Sequence, residues 1–155
     1  MIILCDSREK WTHPGSTDRH ISGYFERHGI AYKVQKLDAG DYMIESGSVT
    51  VDRKQSLEEI SHNLTNAADK VRFWNEIRLA KKLGLRLVVL IETSRYRSVD
   101  ELRAWKSKYT PVRGGALIRE MEKLRHAYGV EFVFCSKMSA AKRIVEILGG
   151  KNGEK

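Results

Sequence analysis

The sequence predicts an α/β fold, a mixed central sheet flanked by helices on both faces. Three observations lead there. Residues 1–5 are a continuous apolar run and residues 86–92 are nearly all Val, Leu and Ile, the pattern of strands buried on both faces. Apolar residues recur at helical spacing over 67–82, 116–128 and 139–148. Residues 42–45 and 49–52, rich in aromatic and β-branched side chains, flank Ser46-Gly47-Ser48 as the two arms of a hairpin. With 155 residues and no shift of composition, the chain reads as one domain over 1–148 and a frayed tail at 149–155.

Taken in order, residues 1–5 form a central strand that delivers Asp6 and Glu9 just past its carboxyl end. Ser16 or Thr17 caps a helix with Ile21, Tyr24, Phe25 and His28 on one face, and Gly29 stops it. Residues 31–37 alternate as a strand, making three strands in sequence with the hairpin. Ser56 caps the next helix, with Glu59 at the capping-box position and Glu58 within reach of the hairpin mouth. The helix over 67–82 places Val71, Trp74, Ile77 and Ala80 on one stripe, and Gly84 ends it. A strand at 86–92 completes a βαβ-like crossover. A short helix around 99–105, a helix over 116–128 stopped by Gly129, a strand at 130–135 and a helix over 139–148 follow.

The hairpin ends in charge where a plain hairpin stays apolar. Asp41 opens its first strand and Asp52 closes the second, so both carboxylates lie at the same end, and alternation puts Lys54 on the side of Asp52. Two carboxylates beside a lysine suit a hard cation that keeps water and takes a phosphate, Mg²⁺ or Mn²⁺ rather than zinc. The spacing, Asp, ten residues, Asp-x-Lys, fits the broad PD-(D/E)xK signature of metal-dependent nucleases.

Gly40-Asp41-Tyr42, then Val51-Asp52-Arg53-Lys54 and Glu58, resembles the GD…ERKxxxD motif of the XPF-type structure-specific endonucleases, the family of XPF and archaeal Hef. Leu4-Cys5-Asp6-Ser7-Arg8-Glu9 is similar to that family's VDxRE strand end. The likeness runs from the first strand to the last helix, with Asp52 in place of the family's Glu and Glu58 in place of its Asp. It implies a restriction-endonuclease-like core and an endonuclease acting on flaps, forks or junctions in DNA. Metal ions held by Asp41, Asp52 and Asp6 would polarise the phosphate and activate a bound water. Lys54 serves either proton transfer, for which a lysine near cations can have a lowered pKa, or a simple phosphate contact. Arg53 pairs with Glu9 or Glu58, or clamps a phosphate. Arg8 and Glu9 either take part directly or form a salt bridge at the sheet end. Two further readings stand beside this one: a non-catalytic DNA-binding subunit, and a nuclease of the same core without branch preference. The family usually continues into helix-hairpin-helix modules that this chain does not reach, so DNA grip is expected from a second copy, a partner or its own basic surface.

A net charge of +8 agrees with a polyanionic partner, and 41% hydrophobic with 31% charged residues excludes a disordered or membrane-embedded chain. The DNA contacts expected are Arg8, Arg53, and Lys70 and Arg72 on the basic helix face, with Trp105, Lys106, Lys108, Tyr109 and Arg113 on a loop offering phosphate contacts and base stacking. The stripes Ala116, Leu117, Met121, Leu124 and Ile144, Val145, Leu148 suggest a homodimer, in keeping with the family's dimeric habit, or simply cover the sheet. The opening apolar run is too short for a signal peptide or a membrane span, so the expected setting is intracellular, cytoplasmic or with DNA, and not secreted. Cys5 and Cys135 are unpatterned and fall in strands. His13, His20, His28, His62 and His126 lack metal-ligand spacing, and Gly114-Gly115 lacks the lysine and serine of a phosphate loop, so no nucleotide cofactor is expected.

Overall fold

A computed structural model describes residues 1–150 of the 155-residue chain. The strands are β1 Ile2–Asp6, β2 Ala31–Gln35, β3 Tyr42–Ile44, β4 Val49–Lys54, β5 Arg86–Glu92 and β6 Glu131–Cys135. They form one sheet in the order β2-β1-β3-β4-β5-β6. β3 runs antiparallel to both β1 and β4, whereas β1 and β2, β4 and β5, and β5 and β6 pair in parallel. Parallel neighbours need crossovers, and the helices supply them. α1 (His20–Arg27) joins β1 to β2, α2 (Leu57–Thr65) and α3 (Ala67–Lys82) join β4 to β5, and α4 (Gly114–Tyr128) joins β5 to β6; α5 (Ala140–Leu148) closes the fold.

The helices divide between the two faces. One core gathers Ile60 and Leu64 of α2, Phe73 and Ile77 of α3 and Leu117, Met121 and Leu124 of α4 over Leu87, Val89 and Ile91 of β5. The other gathers Ile21 and Phe25 of α1 and Ile144 and Ile147 of α5 over Val88 and Leu90. β5 is therefore buried on both faces, which is why its sequence reads as an unbroken apolar run. The α/β class with helices on both faces is as the sequence predicts.

Several local expectations need correction. β2 ends at Gln35, short of the strand expected over 31–37, and β1 inserts between it and β3, leaving β2 as a largely exposed edge strand. α1 starts at His20, whose N–H is accepted by the Asp18 carboxylate, so neither Ser16 nor Thr17 is its cap. The inward stripe of α3 is Phe73, Ile77 and Ala80, while Val71 is 60% exposed. Two residues at 100° each set Val71 about 200° round the helix from Phe73. The turn at Asp100–Ala104 is 3-10 helix. α4 begins at Gly114, where a Cβ would stand 1.5 Å from Leu102 O, so only glycine lets the helix start against that turn. Leu117, Met121, Leu124 and Ile144 are fully buried and Leu148 nearly so, which takes the stripes proposed for a homodimer into the core.

Both cysteines are free, Cys5 buried in β1 and Cys135 half-buried in β6. Burial, with Glu9 adding, pushes the Cys5 thiol up to about 12, and burial, with Glu92 adding, pushes Cys135 up to about 11. Among the described residues no helix is long and apolar enough to cross a membrane. Of the expected frayed tail, residues 151–155 lie outside the described residues.

Candidate active site

The β3–β4 register pairs Tyr42 with Val51 and Met43 with Thr50, which carried one step outward sets Asp41 opposite Asp52. Backbone bonds fix the corner: Asp41 N donates to Val51 O at 2.7 Å, and Asp6 N to Asp41 O at 2.8 Å. Arg53 N donates to Asp41 Oδ2 at 2.8 Å. Gly40 precedes this corner at φ +76, and a Cβ on it would lie 2.0 Å from Thr50 Oγ1. The Gly-Asp pair thus reflects a backbone that must be left-handed and side-chain free one residue before the carboxylate.

The two hairpin carboxylates share a cavity of about 310 Å³ with Asp6, Arg8, Glu9, Lys54, Glu59 and Glu76. Asp52 is 4% exposed, and its Oδ2 is buried without a hydrogen bond. Lys54 Nζ stands 3.3 Å from that oxygen, in ion-pair range but outside hydrogen-bonding alignment. Burial and the neighbouring charges of Asp52 and Glu9 hold the Asp41 carboxyl well above the ordinary range, against the Arg53 N–H. Burial works against the Lys54 ammonium, yet Asp52, Glu59, Asp41 and Glu76 outweigh it and raise its pKa. Among protein groups alone the direction is thus opposite to the lowered pKa considered for proton transfer.

These observations test the fit of a divalent cation. An orphaned carboxylate oxygen, a second crowded carboxylate and open volume beside both are the features of a site for a hard cation that keeps its water. Among the described residues no group of three or more His, Cys, Asp and Glu side chains is drawn together to hold a metal, so this is no closed structural centre. Asp6, 1% exposed, has both oxygens committed: Oδ2 accepts Arg8 Nε at 2.7 Å, and Oδ1 accepts Leu37 N at 2.9 Å and Arg8 Nη2 at 3.2 Å. It braces Arg8 at the rim, so of the three carboxylates that the sequence suggests as ligands only Asp41 and Asp52 keep an oxygen free of arginine.

Beneath the cavity runs a buried chain of polar contacts. Trp11 Nε1 donates to Tyr42 OH at 2.7 Å, and Tyr42 OH donates to Glu9. Arg53 Nη1 donates to Glu9 Oε1 at 3.1 Å and Arg53 Nε to Glu92 Oε2 at 2.5 Å. The Arg53 side chain is 2% exposed, so its fork is spent on Glu9 and Glu92, and its assignment as a DNA contact is corrected. Burial opposes the Arg53 charge, but Tyr42, Glu92 and Glu9 raise its pKa. Glu9 is likewise a partner within this frame.

Two residues escaped sequence reasoning. Glu92 ends an otherwise apolar strand at the same sheet end as Lys54, and an acid there was the available signal. Glu76 lies three residues after Phe73 and four before Ala80, on the true inward stripe of α3, and accepts Gly40 N at 3.0 Å. Burial and Asp52 raise its pKa, against Gly40 N–H, Lys54 and Arg8.

Glu58 is not brought to the hairpin mouth. Its Oε2 accepts Ser107 Oγ at 2.8 Å and its Oε1 Lys108 N at 3.2 Å, while the next residue on the helix, Glu59, lines the cavity. The expected cap of α2 is present, with Glu59 N donating to Ser56 Oγ at 3.0 Å and Gln55 N to Glu59 Oε1 at 2.7 Å.

The basic loop is ordered as a small hairpin, with Lys106 bridged to Arg113 and Ser107 Oγ accepting Tyr109 N and Thr110 N. Lys106, Lys108 and Arg113 are exposed and Tyr109 is 81% exposed. Trp105 is 8% exposed and packed in the core, so it offers no face to a base and its assignment as a stacking residue is corrected. On α3, Lys70 pairs with Glu120 of α4 at 2.7 Å and Arg72 with Asp69. Arg72 lines a second cavity of about 780 Å³ that adjoins the first through Arg8, Lys54, Glu59 and Glu76.

The model of the ERCC4 domain family matches residues 5–148. Among solved structures, XPF from Aeropyrum pernix superposes with a TM-score of 0.69 at 20% identity, over 100% of this chain and 66% of that one. XPF from the same organism in complex with DNA gives 0.65 at 18% identity, over 99% of this chain and 66% of that one. This chain thus spans just under two thirds of the structures it matches, and the likeness at these identities is one of fold. No curated protein matches the sequence. The family match takes in the hairpin, both cavities and every candidate site residue, and on it the chain belongs to the ERCC4 domain family.

Proposed function

We propose that this chain is a divalent-metal-dependent endonuclease that hydrolyses phosphodiester bonds in branched DNA. The observation that carries the reading is Asp52 Oδ2, buried and without a hydrogen bond beside the crowded carboxylate of Asp41. Membership of the ERCC4 domain family supports it, as does the fold shared with an XPF that is complexed with DNA. Asp41 and Asp52 would hold Mg²⁺ or Mn²⁺, which supplies Lewis-acid activation of the phosphate and of the attacking water. Lys54, whose Nζ stands 3.3 Å from Asp52 Oδ2, would stabilise negative charge on the phosphate. Arg8, exposed at the rim, meets the adjoining phosphate, and Lys106, Lys108, Tyr109 and Arg113 grip the flanking strand. Such a protein works inside the cell, where the DNA is.

The test incubates the purified chain with labelled single strands, duplexes, flaps, forks and four-way junctions in Mg²⁺ or Mn²⁺, beside Asp41→Asn. Cleavage confined to branched substrates and abolished by Asp41→Asn, with gel-shift binding kept or tightened, is the expected result. Equal cutting of plain duplex would remove the branch preference, and binding without cutting would leave a DNA-binding subunit. Unchanged cutting by Asp41→Asn would take the hairpin out of the reaction. We further propose a homodimer, on the dimeric habit of the family the sequence resembles; the core residues of the α4 and α5 stripes are buried within one chain. Light scattering at high micromolar concentration that reports 17.8 kDa would refute it.

A further inference from the structure

We propose that Glu76, on α3 and outside the hairpin motif, is a third carboxylate ligand of the cation bound by Asp41 and Asp52. This rests on the cation site of the proposed function and adds to it a residue that the strand pattern does not contain. Glu76 stands between the two cavities and lines both. Its Oε1 accepts Gly40 N at 3.0 Å, which pins the side chain one residue from Asp41, while Oε2 takes no hydrogen bond among the described residues. Lys54 Nζ, 3.3 Å from Asp52 Oδ2, lies over the ring of Phe73, one turn of α3 before Glu76. Asp52, 4% exposed, lines this same space, and its buried Oδ2 takes no hydrogen bond, only the ion pair with Lys54.

Glu58, the acid that the motif places on a helix, is spent on Ser107 and Lys108 and faces away. Glu76 fills that vacancy from a different helix. The three carboxylates come from the start of β3, the end of β4 and the middle of α3, so a cation between them ties the hairpin to α3. Among the described residues, without an ion, these acids are not drawn together into a group of three, and the terminal torsions of Glu76 give its carboxylate the freedom to close on the ion once the ion's charge offsets their repulsion. Added ligand charge tightens the binding of a hard divalent cation.

The experiment titrates Mn²⁺ into the full chain without DNA and follows the free-ion signal by electron paramagnetic resonance. Wild type is compared with Glu76→Gln, Glu58→Gln and Asp41→Asn. Glutamine keeps an oxygen for Gly40 N–H, so Glu76→Gln retains the fold, and its melting curve checks this. Glu76→Gln is expected to weaken Mn²⁺ by about tenfold or more, while Glu58→Gln binds as wild type does. Wild-type affinity in Glu76→Gln, with Asp41→Asn weakened, overturns the proposal and leaves the cation site standing. A wild-type chain that binds no Mn²⁺ overturns both.

Discussion

Replacing Arg53 by Met keeps an unbranched apolar stem and removes the guanidinium from between Glu9 and Glu92. All three side chains lie out of water, at 2%, 9% and 4% exposure. Removing one member of a buried ion pair typically costs about 3–5 kcal/mol, because the remaining charge is left uncompensated, and here two carboxylates lose the same partner. Against a total stability of about 5–15 kcal/mol, the loss is a large fraction. For a chain of this size about 2–4 °C follows each kcal/mol, so the melting temperature should fall by about 6–20 °C. Circular dichroism at neutral pH in chelator measures it, with the triple variant Arg53→Met, Glu9→Gln, Glu92→Gln as the control. If charge is the cause, the triple variant recovers most of the loss, since Gln at position 9 still accepts the Tyr42 hydroxyl. A single variant within about 2 °C of wild type, or a triple variant no better than the single, would refute this account.

Three other outcomes are expected. The folded Asp41 carboxyl has a raised pKa, so its contribution to stability is present below the ordinary carboxylate range and lost as pH rises through the raised value. In chelator, Asp41→Asn should therefore melt higher than wild type at neutral pH and lose that advantage in acid; parallel melting-versus-pH curves would contradict it. Asp52 stands one methylene short of the family's Glu, so cleavage should be faster in Mn²⁺ than in Mg²⁺, and Asp52→Glu should narrow the ratio; a ratio unchanged by the substitution would separate metal preference from side-chain length. Gly114→Ala sets a Cβ 1.5 Å from Leu102 O, and that backbone cannot yield cheaply, so guanidinium denaturation should report a loss of about 2 kcal/mol or more.

The strands and the carboxylate corner were legible because they rest on short-range rules. Alternation fixes which side Asp52 and Lys54 share, and a continuous apolar run fixes a doubly buried strand such as β5. Insertion of β1 between β2 and the hairpin was not legible, since a local pattern says nothing of which strand lies beside which. On α3, the apolar residues Val71 and Trp74 outvoted Phe73 in choosing a stripe, and that rotation hid Glu76. Trp105 and Arg53 show another limit. A tryptophan among lysines reads as a surface binder, and for Arg53 the sequence leaves pairing with Glu9 or Glu58 open beside a phosphate clamp; only long-range packing puts Trp105 in the helical core and Arg53 between Glu9 and Glu92. For Glu58 and Glu59, adjacent letters with the same charge, a single helical step of 100° decides which reaches the cavity.

The two thiols make the chain convenient for site-selective chemistry. Reaction with maleimides or disulfides proceeds through the thiolate, and with pKa values of about 12 and about 11 Cys5 and Cys135 hold little of it at neutral pH. A cysteine introduced at the exposed tip residue Tyr109 would have an ordinary pKa of about 8.5 and a thiolate fraction larger by roughly 300-fold than that of Cys135 and by roughly 3,000-fold than that of Cys5. A fluorophore could thus be placed on the basic loop with both native cysteines left in their strands, and its emission would report directly on what the loop touches.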